Sequence, residues 1–332
     1  MSTWTPSLTR DLLEWFRGGA RVLPWREGRT PYRIWVSETM LQQTQVATVV
    51  PYFERWLMQF PDLKTLADAP LEAVLKAWEG LGYYRRARLL HRGAQFVMRE
   101  RNGVIPQTYA ELLELPGIGP YTAAAIASLA FGESVLAVDG NVKRVAARLF
   151  CLTGEVKPAA VQHVLEPHLP EVSAGDFNEA LMELGATVCT PRSPRCHACP
   201  LQPYCEAFEN GQVAQFPERV KRKAVPHHIR YALVAQRDGA LWLKQRGEDE
   251  RLGGLWGFVL SENKPDGTWL EPVQHAYTHF RITAMPVLVA EPPAETLLGG
   301  QWVEQSDLEK LPLSKLDHKL LARVNEFSTR EK

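Results

Sequence analysis

The sequence lacks a secretory start. Its first ten residues, MSTWTPSLTR, hold no basic segment followed by an apolar run, and no stretch of about 18 uncharged apolar residues occurs anywhere. A spanning helix is therefore not expected, and a cytoplasmic protein with no membrane partner is. Net charge is lacking too, with 38 Lys and Arg against 38 Asp and Glu. Global electrostatics thus gives no argument for a polyanionic partner, and any such footprint must be local. The candidates are YYRRARLLHR (83–92) and ERVKRKAVPHHIR (218–230), although charge runs of this kind are commonly solvated faces. Internal repeats and low-complexity tracts are absent.

Cysteine is scarce, with five in 332 residues, but its distribution is uneven. Cys151 stands alone, whereas Cys189, Cys196, Cys199 and Cys205 follow the spacing C-x6-C-x2-C-x5-C. In a chain without an export signal this pattern reads as a metal site and not as a disulfide framework. Four thiolates suit tetrahedral zinc or a cubane iron-sulfur cluster, and spacing alone does not choose between them. The same loop carries Arg192 and Arg195 among prolines, so a structural clip could also present cations to a partner.

A chain of this length exceeds one ordinary core, and its hydrophobic period changes part-way. Up to about residue 205 the pattern is helical with short breaks. SETMLQQTQVATVVPYFERWLMQF (37–60) reads as a helix capped by Ser37, and PLEAVLKAWEGLG (70–82) starts after proline and stops at glycine. AAVQHVLEPHLP and DFNEALMELGATVC continue the theme, and no strong alternating strand interrupts it, so this half is expected to be all-α. Residues 206–228 are polar, basic and proline-containing, and read as a linker. Beyond them, IRYALVAQ and ALWLKQR flank an Asp238-Gly239 hairpin turn. GLWGFVL and ITAMPVLVA add strands, and PLSKLDHKLLARVNEF a final helix, giving a separate α+β domain over 229–332.

Within the helical half, LPGIGPYTA (115–123) places a Gly-x-Gly turn before an alanine-rich helix. Backbone N–H groups of Gly117, Ile118 and Gly119 at a helix N-terminus would make an anion site, and the missing Cβ atoms would let a phosphate backbone approach. A plain turn between helices is the alternative. No P-loop lysine is present to suggest a nucleoside triphosphate. Asp139 precedes Gly140 and a helix, which reads as an N-cap, and the cap donors are expected to lower its pKa and keep it ionised. Glu38 is expected in the first turn of its helix, where it would complement the macrodipole. Its neighbours Trp35, Val36, Met40 and Leu41 are apolar, however, and such surroundings hold a carboxyl protonated near neutral pH. One protonated and one ionised carboxyl is the pairing needed to break a glycosidic bond through an oxocarbenium-like transition state.

These residues also carry a resemblance. LPWR (23–26), SETMLQQTQV (37–46), GLGYYRRAR (80–88), LPGIGPYTA, VDGNVKRV (138–145) and the cysteine cluster occur in one order across residues 20–205. In that order they resemble the helix-hairpin-helix DNA glycosylases, and specifically the MutY-type adenine DNA glycosylases. The resemblance implies two helical lobes, a six-helix lobe at about 29–136 and a cluster lobe at about 1–28 plus 137–205, with a 4Fe-4S cluster on the cysteines. It implies hydrolytic excision of adenine paired with 8-oxoguanine or guanine from double-stranded DNA, by a monomer, with the base flipped out of the stack.

By the same resemblance Glu38 is the acid at adenine N7 and Asp139 stabilises the sugar cation, with Tyr121 and Asn141 as positioning partners. Leu23, Trp25, Arg26 and Glu183 correspond to adenine-pocket positions. Gln43 and Thr44 lie near the pair partner, and Tyr83 wedges into the stack. The C-terminal domain resembles a Nudix-like module reading 8-oxoguanine through Tyr277, Thr278 and His279. Its LGGLWGFVLSE (252–262) lacks the downstream R-E-x-x-E-E ligands of a working Nudix box, so pyrophosphate hydrolysis is not expected. A strand-cutting endonuclease III-like relative would need a lysine amine after the hairpin. Position 121 is tyrosine, so the predicted product is an intact abasic strand, with Lys143 as a candidate for an adventitious Schiff base.

Overall fold

The computed structural model describes residues 7–218, 224–292 and 297–330; expectations falling on 1–6, on 219–223 of the basic run, on 293–296 and on 331–332 lie outside them. The chain divides into two compact units, Met1–Ala67 with Arg92–Arg222, and Asp68–His91 with Lys223–Lys332.

The first unit is helical, and among the described residues up to 205 there is no strand. The helix Ser7–Gly19 turns Leu8, Leu12 and Phe16 inward at four-residue spacing, as an amphipathic helix must. They pack with Val142, Val145 and Leu149 of Gly140–Leu149 and with Phe177, Leu181 and Leu184 of Ala174–Thr187. Residues 37–60 are not one helix. Pro31 at the first turn and Thr30, whose hydroxyl accepts the Arg33 N–H at 3.2 Å, start a helix Pro31–Leu41, and a second runs Val46–Gln59. Between them Gln43 takes a left-handed φ of 57°, which no helix continues through. Ser37 is thus no cap, and donates instead to the Ile34 carbonyl at 3.0 Å. Glu38 sits past the middle of its helix, so the macrodipole reading fails and burial is left to explain it.

Residues 206–216, expected as linker, carry a short helix Glu206–Glu209 and bury Ala207 and Phe216 against Ala147. Two apolar side chains in a polar stretch were enough to tie it down. Among the described residues no helix is long and apolar enough to cross a membrane.

The second unit is built on strands β1 (His227–Arg237), β2 (Ala240–Gln245), β3 (Trp256–Gly257), β4 (Val259–Ser261), β5 (Thr268–Trp269), β6 (Val273–Ala276), β7 (Arg281–Val289) and β8 (Gly300–Val303). The predicted hairpin joins β1 to β2, with Asp238 and Gly239 at φ 51° and 85°, as a type I′ turn requires. β1 pairs in parallel with β7 from His227↔Arg281 to Ala235↔Val289, and antiparallel with β4. β2 pairs with β3 and β8, and β7 with β5 and β6. The helix Lys315–Arg330 lays Leu316, Leu320 and Val324 on Leu243, Phe258 and Ile282.

The stretch Asp68–His91 belongs to this unit by its contacts. Glu79 accepts the Leu313 N–H at 2.9 Å and shares a hydrogen bond with His318 at 2.7 Å. Trp256 Nε1 donates to Glu72 at 2.6 Å, and the Tyr84 hydroxyl to the Leu313 carbonyl at 3.2 Å. Polar residues that read as solvated helix surface in the sequence therefore have partners more than 150 positions away.

Candidate active site

Four elements of the first unit converge on a cavity of about 400 Å³. Pro31–Leu41 supplies Glu38, Pro120–Phe131 supplies Tyr121, the start of Gly140–Leu149 supplies Asp139 and Asn141, and Ala174–Thr187 supplies Glu179, Met182 and Glu183. Leu23, Trp25 and Arg26 from the N-terminal segment, with Gln43 and Thr44, also line it. Residues scattered over 160 positions thus share one space.

Glu38 is 5 % exposed, and the Tyr121 hydroxyl donates to its Oε2. Burial raises the Glu38 pKa to about 7; the phenol bond and Arg26 pull it down, while Glu179 and Asp139 push it up. Tyr121 is held well above its usual value, by burial first and then by the carboxylates, so it stays a phenol. Asp139 caps its helix as expected, accepting the Val142 N–H at 2.7 Å on one oxygen and Asn141 Nδ2 at 2.9 Å on the other. Contrary to expectation its pKa is raised and not lowered, because burial outweighs the capping bonds.

Asn141 in turn accepts from Arg144 at 2.7 Å, and Arg144 donates to the carbonyls of Gly185 and Cys189, each at 2.8 Å. Position 185 must be glycine here, since a Cβ would lie 2.6 Å from the Asn141 Cβ. Sequence reasoning missed Arg21, Glu179 and Met182. The signal for the acids was present: Asp176, Glu179 and Glu183 share one helix face at i, i+3, i+7 spacing.

The remaining candidates stand outside this cavity. In the hairpin Gly117 takes φ 83°, and Gly119 is the N-cap ahead of Pro120. The Ile118 N–H donates to the Leu115 carbonyl at 3.1 Å, so of the three amides expected to face an anion this one is spent inside the turn. In the second unit Tyr83, at φ 48°, has its hydroxyl hydrogen-bonded to Thr278 Oγ1. Thr278 and His279 are exposed, but Tyr277 is not free beside them. Its ring stacks on Phe280 at 4.4 Å and packs against the domain core, with burial raising its pKa to about 12.

Residues 36–171 match the HhH-GPD superfamily of base excision DNA repair proteins, 189–205 the iron-sulfur binding domain of endonuclease III, and 230–323 the NUDIX domain. The adenine DNA glycosylase of Buchnera aphidicola subsp. Acyrthosiphon pisum is 32 % identical over 300 residues, covering 85 % of this chain and 86 % of that protein. The chain belongs to the adenine DNA glycosylase family. The human adenine DNA glycosylase is 34 % identical over 394 residues, covering 92 % of this chain and 71 % of that one. Among solved structures a thermostable thymine-DNA glycosylase superposes with a TM-score of 0.56 at 29 % identity, covering 61 % of this chain and 95 % of that one. A trapped endonuclease III–DNA covalent intermediate, at 24 % identity and TM-score 0.55, shares the fold.

A base excision glycosylase core is joined to a Nudix-like domain, and the cofactor is a 4Fe-4S cluster. The cysteine loop fits that group. Cys189, Cys196, Cys199 and Cys205, none in a disulfide, line one cavity with Val145, Leu149, Leu184 and Val188. Burial pushes the Cys199 thiol up to about 12 and Cys205 to about 11, and coordination to iron supplies the charge that deprotonates such thiols. Arg148, 3 % exposed, donates to Cys189 Sγ at 3.2 Å and to the Thr190 and Phe216 carbonyls at 2.8 and 3.0 Å. A guanidinium so placed offsets the negative charge of a thiolate-bound cluster and ties the start of the loop and the segment at Phe216 to one helix.

Proposed function

We propose that the protein hydrolytically excises adenine paired with 8-oxoguanine, and with guanine, and stops at the abasic site. What carries this reading is the pair of carboxyls in one cavity, Glu38 poised to hold a proton near pH 7 and Asp139 tethered by a cap and an amide. Glu38 protonates N7 of the flipped base, which turns adenine into a neutral leaving group. The Asp139 carboxylate faces the sugar as the bond to C1′ lengthens and positive charge develops there. Tyr121, kept as a phenol, orients Glu38, and Asn141 orients Asp139. Cys189, Cys196, Cys199 and Cys205 would hold the cluster, which would supply a structural clip for the 189–205 loop.

No amine stands where a lyase needs one, since position 121 is buried tyrosine. For the pair partner, Thr278 and His279 are the exposed reading residues and Tyr277 their anchor, with Gln43 and Thr44 near that partner, Tyr83 at the stack and the hairpin Gly117–Gly119 on the phosphate backbone. Single-turnover excision from 8-oxoguanine:A and G:A duplexes, each with and without alkaline work-up, tests the proposal. Product is expected only after alkali, and more rapidly from 8-oxoguanine:A. Strand scission without alkali that disappears in Lys143→Ala would refute the monofunctional assignment. Equal rates on the two duplexes would refute the role given to residues 277–279.

A further inference from the structure

Strands β6 and β7 pair as far as Ala276↔Arg281, and beyond that pair the Tyr277 N–H donates to the Phe280 carbonyl at 2.8 Å. Thr278 and His279 are therefore the two-residue tip of a β-hairpin, and both are exposed. Side chains from two other segments of the same unit meet this hairpin end. The Tyr83 hydroxyl is hydrogen-bonded to Thr278 Oγ1. The Arg251 guanidinium lies over the Phe280 ring, 4.0 Å from its centroid, and Phe280 in turn stacks on Tyr277 and meets His228 edge-on.

The loop that delivers Arg251 is held at several points. Arg88 donates to the Glu248 carbonyl at 2.6 Å, the Gly247 N–H and Lys244 Nζ each donate to the Glu250 carboxylate at 3.1 Å, and the Gly253 N–H donates to the Glu250 carbonyl at 3.0 Å. Leu252, the next residue after Arg251, takes a left-handed φ of 61°, which a leucine keeps only where its surroundings impose it. Arg251 itself is exposed, and among the described residues it forms no ion pair. A guanidinium whose face rests on a ring keeps its N–H edges available, and these match the paired oxygens of a phosphate.

Each strand of B-form DNA carries a phosphate about every 3.4 Å along the axis, so a base met by the hairpin tip brings backbone charge alongside it. We propose that Arg251 is a phosphate-contact residue: stacked on Phe280 beside the tip, it binds the backbone of the strand that carries the pair partner and so sets the register in which Thr278 and His279 meet that partner. This rests on the reading of residues 277–279 as the part that meets the pair partner. Because the contact is to the backbone and not to a base edge, it serves 8-oxoguanine:A and G:A duplexes alike.

The test is the salt dependence of binding by the full-length, cluster-loaded protein to both duplexes, each with a 2′-fluorine on the adenosine, which destabilises the sugar cation and so blocks excision. In Arg251→Met, which still covers Phe280 but carries no charge, the slope of log Kd against log salt should shrink by about 0.9. The Kd should then rise about eightfold at about 0.1 M salt and about threefold at about 0.3 M, by the same factor on both duplexes. Arg251→Lys should restore most of the slope, because a point charge still releases a counterion. Arg237 provides the control: it lies over the Trp302 ring at 4.6 Å in the same manner, but at the far end of β1, about 33 Å from the His227↔Arg281 pair next to the hairpin end. Arg237→Met should leave the slope where it is. An unaltered slope in Arg251→Met, an equal change in Arg237→Met, or a loss confined to 8-oxoguanine:A would overturn the proposal. Should Arg251→Met fail to fold, Arg251→Gln is read against the same outcomes. Failure of the underlying reading shows separately, as a Thr278→Val variant whose preference for 8-oxoguanine:A is unmoved.

Discussion

Two buried carboxyls, one in each unit, have opposite surroundings. Asp317, fully buried in the C-terminal domain, accepts from three donors: one Arg246 nitrogen on both oxygens at 3.0 and 3.1 Å, the Phe258 N–H at 3.1 Å, and the Ser314 hydroxyl at 2.5 Å. Glu38, as deeply buried in the helical unit, accepts from the Tyr121 phenol and faces two further carboxyls. Burial alone therefore does not assign a role. An acid saturated with donors and a guanidinium is a structural tie, and here it holds the backbone between β3 and β4 to the last helix. An acid left short of donors keeps its proton near neutrality and can give it away.

The contrast is broken most severely at Glu38. Glu38→Gln should lower the excision rate by about 10³-fold, within the range for loss of a general acid, while mispair affinity is kept. A parental rate in single turnover would end the assignment. The same variant should fold at least as well as the parent. The Glu38 carboxyl has its pKa raised from 4.5 unfolded to about 7 folded, so the stability it contributes is fully present below pH 4.5 and is lost as pH rises to 7. Above that the variant should be the more stable, by at most about 3 kcal/mol. Denaturant titrations at pH 5 and pH 8 measure the difference.

Asp317→Asn should act in the opposite sense. It leaves Arg246 buried without its counter-charge and should destabilise the C-terminal domain by about 3–5 kcal/mol, read by amide exchange across β1 and β7. A loss below about 1 kcal/mol would mean that the remaining donors find other partners. Tyr121→Phe is gentler: losing the one hydroxyl on Glu38 should move the alkaline midpoint upward and slow excision about tenfold at neutral pH. The smallest effect belongs to Thr278→Val, which removes the partner of the Tyr83 hydroxyl. It should reduce the preference for 8-oxoguanine:A over G:A about fivefold, measured as a ratio of rates, with G:A excision itself unchanged.

Much of the architecture was legible in the residues. The hairpin at Asp238-Gly239, the strand pattern after residue 229 and the late amphipathic helix are local signals, and local propensity decides them. The helix boundary at Ser37 was misread because a capping hydroxyl in sequence competes with Thr30-Pro31 six residues earlier, and proline at the first turn prevails. The linker was misread because Ala207 and Phe216 find a distant surface at Ala147. Glu179 went unnoticed because an acidic residue on an amphipathic helix looks solvated until its arginine partners are brought over from residues 26 and 29.

By itself the sequence determined the elements, the change from helical to alternating period, the cysteine ligand set and the presence of both carboxyls. Spacing, caps and turn residues act over a few positions, so they can be read without a fold. Only the tertiary structure decided that burial overrides the cap at Asp139, that Tyr277 is packed where Thr278 is exposed, and that Arg26 is held by Glu183. Each of these depends on desolvation and on partners up to 160 residues away, and neither exists until the chain has closed around them.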